Sequence, residues 1–139
     1  MIMIINKGIN MQSRSTHQKK VIYDYIVSSK CHPSINKIHQ DLLEKGENIG
    51  IATCYRNLKS LLNEKKVIQI MTSDNVAHFD YVDYEHYHLV CTCCHDIIDM
   101  DANSISLDNE NSLLKSFKVN IRDLIIYGTC KKCQEREKN

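Results

Sequence analysis

Apolar positions recur at helical spacing three times in the first half of the chain. In STHQKKVIYDYIVSS, residues 15–29, Val21, Ile22, Tyr25 and Ile26 fall on one face. Ser15 with Gln18 makes a capping box, which predicts that the helix starts there. In SINKIHQDLLEKG, residues 34–46, the stripe is Ile35, Ile38, Leu42 and Leu43. Ser34 after Pro33 opens this helix and Gly46 stops it. In IATCYRNLKSLLNEKK, residues 51–66, the expected buried stripe is Ile51, Cys54, Leu58, Leu61 and Leu62. Ala52, Tyr55, Arg56, Lys59 and Asn63 are left on other faces, able to point outward.

After Lys66 the period falls to two. VIQIM (67–71) and VAHFDYV (76–82) predict two strands joined by the turn signal TSDN. Three short helices followed by a hairpin is the winged-helix pattern, whose third helix enters a DNA major groove. A polar, Tyr-rich connector covers 82–87. Beyond it YHLVC and DIIDM predict strands, NENSLLKSF (109–117) a short helix and VNIRDLIIYG (119–128) a further strand, before the polar tail CKKCQEREKN. The expectation is an α+β fold. A winged-helix DNA-binding domain covers 1–81, and a small α/β metal-binding dimerisation domain covers 82–139. Apolar strands in so small a half want covering, and a second copy of the chain would cover them.

Charge sharpens this division. The net charge is only +1, but residues 1–66 hold eleven Lys or Arg against five Asp or Glu, residues 67–109 none against eight, and residues 110–139 seven against four. A basic first half suits a polyanion and an acidic middle suits cations. With 139 residues the chain makes one ordinary domain or two small ones, and two thin cores gain from a metal or a partner. The opening MIMIINKGIN is too short in apolar residues for a secretory signal, and no run approaches membrane-spanning length. Seven cysteines in such a chain point to reduced thiols and metal binding rather than disulfides, hence to a cytoplasmic protein with no membrane contact.

Two kinds of ligand lie side by side. Cys91-x-x-Cys94 and Cys130-x-x-Cys133 are two knuckles of the kind that hold tetrahedral Zn2+. The 35 residues between them exceed a zinc-ribbon spacing, so the site would staple the tail to the start of the second domain and contribute folding energy. A pair of redox dithiols is the other reading. Cys93 could replace Cys94, but the mirrored spacing favours Cys94. Cys31 and Cys54 read as plain small residues. The harder set is His86-x-His88, on one face of a strand, with Asp80 before it and Asp99 after it. Imidazole with carboxylate suits Fe2+, Mn2+ or Zn2+. His32 reads, on its own, as a loop histidine. His17, His39, His78 and His95 have no evident partner set and read as surface or packing residues.

The segments THQKKVIYDY, HPS, IATCYRNL, HFDYVDYEHYHLVCTCC and IYGTCKKC together resemble the ferric uptake regulator (Fur) family, and within it the peroxide-sensing, PerR-like branch. The match covers about residues 15–134. The resemblance implies a dimeric DNA-binding transcription regulator, not an enzyme, with structural zinc on Cys91, Cys94, Cys130 and Cys133. It also implies a regulatory Fe2+ or Mn2+ on His32, Asp80, His86, His88 and Asp99. His32 becomes a ligand by this resemblance alone. Asp80 favours the peroxide-sensing branch, because iron-uptake members usually carry Glu there. Peroxide then oxidises a ligand histidine, His32 or His86, and DNA is released. The expected partner is an A·T-rich palindromic operator, read from the third helix by Thr53, Tyr55 and Arg56.

The chain also departs from the family pattern. About fourteen residues precede Ser15, which predicts that the family's first helix is nearly absent. VNIRD replaces histidines found in some members, so a third metal site is not expected. The competing readings are an Fe2+-responsive iron-uptake repressor and, from another class, a metallohydrolase using His86, His88 and Asp99. The hydrolase reading lacks a general base and leaves the basic half unexplained.

Overall fold

The computed structural model describes the backbone of residues 2–82, 86–106, 112–118 and 124–138, with side chains from residue 14 onward apart from 112. Two compact units result. One comprises the residues up to 71 with 76–82, the other Thr72–Asn75 with the described residues from His86 onward.

The first unit contains α1 (Ile2–Ser28), α2 (Ile35–Glu44), α3 (Ile51–Asn63), β1 (Val67–Met71) and β2 (Ala77–Tyr81). The first helix differs from expectation. It does not begin at Ser15 but runs unbroken from Ile2 to Ser28. The capping-box signal at Ser15 is overridden because nothing upstream stops a helix. Residues 2–14 contain no proline, and Gly8 costs only about 1 kcal/mol. Extending an existing helix also avoids a new nucleation step. At α2 the reading and the structure agree: the Ser34 hydroxyl accepts the Lys37 N–H at 3.3 Å, and Gly46 ends the segment at φ +86°.

Ile22, Ile26, Ile38, Leu42, Cys54, Leu58, Leu61, Val67 and Phe79 meet in one core. Two residues of the expected stripes stay outside it. Leu43 is 44% exposed, beside Leu42, which is buried, and Ile51, in the first turn of α3, is 37% exposed. The buried Asn57 lies next to Leu58 on the packed side of α3. Polar ties join the helices. Tyr25 Oη donates to Asp41 Oδ2 at 2.5 Å, from α1 to α2, and burial followed by that bond raises the Tyr25 phenol above its ordinary value. Lys19 of α1 bonds Ser60 Oγ at 3.4 Å and pairs with Glu64, just past α3.

β1 and β2 pair antiparallel, with Val67 opposite Tyr81 and Met71 opposite Ala77. Asn75 turns the hairpin at φ +62°, as the TSDN signal predicts. The loop before α2 lies along the outer side of β2: Phe79 N–H donates to Pro33 O at 2.9 Å, and Ser34 bridges His78.

The second unit is a three-stranded sheet in the order β4-β3-β5. β3 is His86–Cys91, β4 is Ile97–Asp101 and β5 is Ile125–Gly128. β4 runs antiparallel to β3 and β5 parallel to it. A parallel neighbour needs a crossover, and the chain between β4 and β5 includes α4 (Ser112–Ser116). The start of the expected helix at 109–117 and the first half of the strand expected at 119–128 lie outside the described residues. The tail is not merely polar: Lys131–Glu137 forms a further helix, α5. Among the described residues no helix is long and apolar enough to cross a membrane.

Candidate metal centres

The four expected sulfur ligands come together. Cys91 ends β3 and Cys94 follows in the turn. Cys130 stands at the start of α5 and Cys133 one turn inside it, so a two-residue gap brings both thiols of each pair to one point. All four Sγ atoms lie within 4.8 Å of one another, with Cys91–Cys133 and Cys94–Cys130 both at 3.8 Å. Four sulfurs about 2.3 Å from one Zn2+ in a regular tetrahedron stand about 3.8 Å apart. The donor set therefore fits zinc in spacing as well as type.

Charge points the same way. The N–H groups of Cys130 and Cys94 donate to Cys91 Sγ at 3.3 and 3.5 Å and pull that thiol down to about 6. Hydrogen bonding to Cys130, then burial, pushes the Cys133 thiol up. Thiols this crowded cannot all ionise without a cation between them. Cys93 is exposed and lies outside this group of four, in line with the register through Cys94. Cys54 is a core residue, as expected, and Cys31 is exposed.

The expected nitrogen and oxygen ligands lie as one pair in the first unit and, in the second, as a close His88–Asp99 pair with His86 beside it. In the first unit His32 is 7% exposed and Asp80 5% exposed. His32 Nε2 stands 3.4 Å from Asp80 Oδ2, while Asp80 Oδ1 accepts the N–H of Tyr81 at 2.9 Å. In the second unit strand pairing sets the geometry. His88 lies directly opposite Asp99, and His86 shares its face of β3 two residues earlier. His88 Nε2 and His86 Nε2 stand 3.4 and 3.9 Å from Asp99 Oδ1, and the two imidazoles meet edge to face at 4.7 Å.

Those separations carry information. A charge-assisted N–H···O bond spans about 2.7–2.9 Å. Two donors about 2.1 Å from one ion lie about 3.0–3.4 Å apart, in octahedral or tetrahedral geometry. The 3.4 Å pairs are long for direct hydrogen bonds and right for ligands that share an ion. Two imidazoles and one carboxylate in the second unit also match a donor set common for Fe2+.

Of the expected DNA contacts, Tyr55 is 59% exposed on α3, and Arg56 Nη2 donates to Thr53 Oγ1 at 3.1 Å. An open cleft of about 520 Å3 runs between α1 and α3, bordered by Arg14, Lys19, Thr53, Arg56 and Ser60. One residue read from the sequence as a surface or packing residue lies beside a candidate ligand: His78 Nδ1 is 2.8 Å from His32 O. Its position two residues before Asp80 on one strand was the available signal.

Comparison with known proteins shows the family. The model of the ferric uptake regulator family matches residues 10–127. The chain belongs to that family. It is 32% identical to the peroxide-responsive repressor PerR of Staphylococcus aureus over 124 residues, covering 88% of this chain and 84% of the relative. Among solved structures, the Campylobacter jejuni peroxide stress regulator is 25% identical with a TM-score of 0.73, over 96% of this chain and 98% of that one. The Pseudomonas aeruginosa ferric uptake regulator with manganese is 26% identical with a TM-score of 0.67, over 81% and 87%. This Fur-family chain is thus a metal-responsive transcriptional regulator, of a family that acts as DNA-binding dimers rather than as enzymes.

Proposed function

We propose that this Fur-family protein is a homodimeric, cytoplasmic repressor that holds DNA while a regulatory ion is bound and releases it after hydrogen peroxide oxidises a ligand histidine. The observation that carries the reading is the 3.4 Å spacing in both His–Asp pairs, His32 with Asp80 and His88 with Asp99. One divalent ion would take both pairs together with His86. Because His32 and Asp80 belong to the first unit and the other three to the second, such an ion fixes the angle between them. In a dimer that sets the spacing of the two α3 helices, which must match half-sites about 34–36 Å apart. Zinc on Cys91, Cys94, Cys130 and Cys133 supports the fold and takes no part in sensing.

The basic first unit supplies phosphate neutralisation, and DNA binding is expected to weaken steeply with salt. Tyr55 packs on a thymine methyl of an A·T-rich palindrome, and Arg56, released from Thr53, reaches phosphate or guanine. Ferrous iron, which His32, Asp80, His86, His88 and Asp99 would hold, would supply the redox chemistry that activates peroxide. One imidazole, that of His32 or His86, would be oxidised by peroxide, taking up one of its oxygen atoms while the other leaves as water. The similarity to the S. aureus peroxide-responsive repressor and the Asp at position 80 support this branch over iron uptake.

The test is mass spectrometry of the iron-loaded protein after peroxide. The expected result is one added oxygen on a peptide containing His32 or His86, absent from the manganese-loaded control. An unmodified protein that still leaves its operator would exclude histidine oxidation as the signal.

The second reading, an Fe2+-responsive iron-uptake repressor, draws on the likeness to the P. aeruginosa ferric uptake regulator. Asp80→Glu separates the two. In the peroxide reading the extra methylene lowers peroxide sensitivity while metal-dependent DNA binding persists. In the iron-uptake reading neither property depends on Asp over Glu.

A further inference from the structure

We infer that His78 is a positioning residue, holding His32 in the backbone conformation that turns its imidazole toward Asp80. The inference rests on the proposal above that His32 is an ion ligand. His32 sits at φ +50°, in the left-handed region that side chains with a Cβ rarely occupy. It also precedes Pro33, whose ring drives the preceding residue toward extended backbone. A conformation disfavoured twice over persists only where its surroundings impose it.

The constraint is visible. A carbonyl can only accept, so His78 Nδ1 carries the proton and donates it to His32 O at 2.8 Å. Phe79 N–H holds the next carbonyl, that of Pro33, at 2.9 Å. Ser34 then pairs with His78 across an antiparallel bridge. The His32 peptide plane is therefore fixed from β2, and the direction of its Cβ follows. Two residues of one strand clasp His32 from opposite ends: His78 takes the backbone and Asp80 faces the ring at 3.4 Å. Partners that orient a metal ligand usually bind its second ring nitrogen. Here the anchor acts on the main chain, and its loss should cost a similar factor, on the order of 10-fold in ion affinity.

The geometry allows a selective rescue. Asn places its Nδ2 where the His Nδ1 stands, whereas the Gln amide reaches the position of Nε2 and misses the carbonyl. Mn2+ binding is measured by electron paramagnetic resonance on the zinc-loaded full-length protein and on His78→Ala, His78→Gln, His78→Asn and His32→Ala. The expected result is affinity lowered about 10-fold in His78→Ala and His78→Gln, near the parent in His78→Asn, and lost in His32→Ala. Parent affinity in His78→Ala overturns the positioning role, and so does His78→Asn as weak as His78→Gln. Parent affinity in His32→Ala overturns the ligand assignment beneath it, a distinguishable failure. Zinc content and melting temperature, taken on the same samples, identify a variant that has lost its fold, and the Asn–Gln contrast then decides.

Discussion

Cys91→Ser is expected to strip the protein of zinc and unfold the second unit. Cys91 terminates β3, the central strand, and receives two backbone N–H groups, so it ties the sheet to the turn and to the tail at once. α5 has seven residues, too few for a stable helix in isolation. Its one buried residue is Cys133. Apparent zinc affinities of small structural sites correspond to about 10–16 kcal/mol near neutral pH. A whole domain is stable by only about 5–15 kcal/mol. Losing one of four ligands therefore removes most of what holds this unit together. The measurements are zinc content by elemental analysis and amide exchange along His86–Cys91, which should change from slow to fast. Cys93→Ser, one residue from a ligand but outside the set, should keep both zinc and protection. A Cys91→Ser protein with stoichiometric zinc and a protected β3 would overturn the assignment of a structural site.

His88→Ala is expected to leave zinc in place while Mn2+ affinity falls by more than the roughly 100-fold that loss of an outer-shell partner can cost. His88 is 3% exposed and faces Asp99 across the strand pair. Along β3 the other imidazole on that face is His86, itself one of the proposed ligands. Since the ion can shift the population only by its differential affinity for the two arrangements, metal-dependent DNA binding should fall with it. Turning a regulator from mostly released to mostly bound takes about 5.5 kcal/mol. Fluorescence anisotropy with a labelled operator, with and without Mn2+, measures this. The parent should show a large metal response and His88→Ala almost none. Retention of the full response with Mn2+ affinity abolished would separate DNA binding from this site.

The helices and strands that carry these residues were readable because their chemistry is local. Ser34 could be recognised as a cap, Gly46 as a stop and TSDN as a turn from neighbours a few positions away. The beginning of α1 was not readable, because the capping box at Ser15 competes with an upstream stretch that merely lacks a breaker. α5 was missed although KKCQEREK is rich in helix formers, since so short a run acquires a structure only by anchoring Cys133.

Sequence by itself determined which atoms are on offer. Paired CxxC knuckles, HxH at strand spacing and an acidic, Lys-free middle offer one group of sulfur donors and one of nitrogen and oxygen donors. Only tertiary structure decided that the thiols of the two knuckles converge within 4.8 Å of one another, that Asp99 stands opposite His88, and that His78 meets the His32 carbonyl. The physical reason is separation along the chain. Residue type and short spacing survive in a linear string, whereas a contact between positions 32 and 78, or 91 and 133, exists only once the core has fixed where each strand and helix must lie.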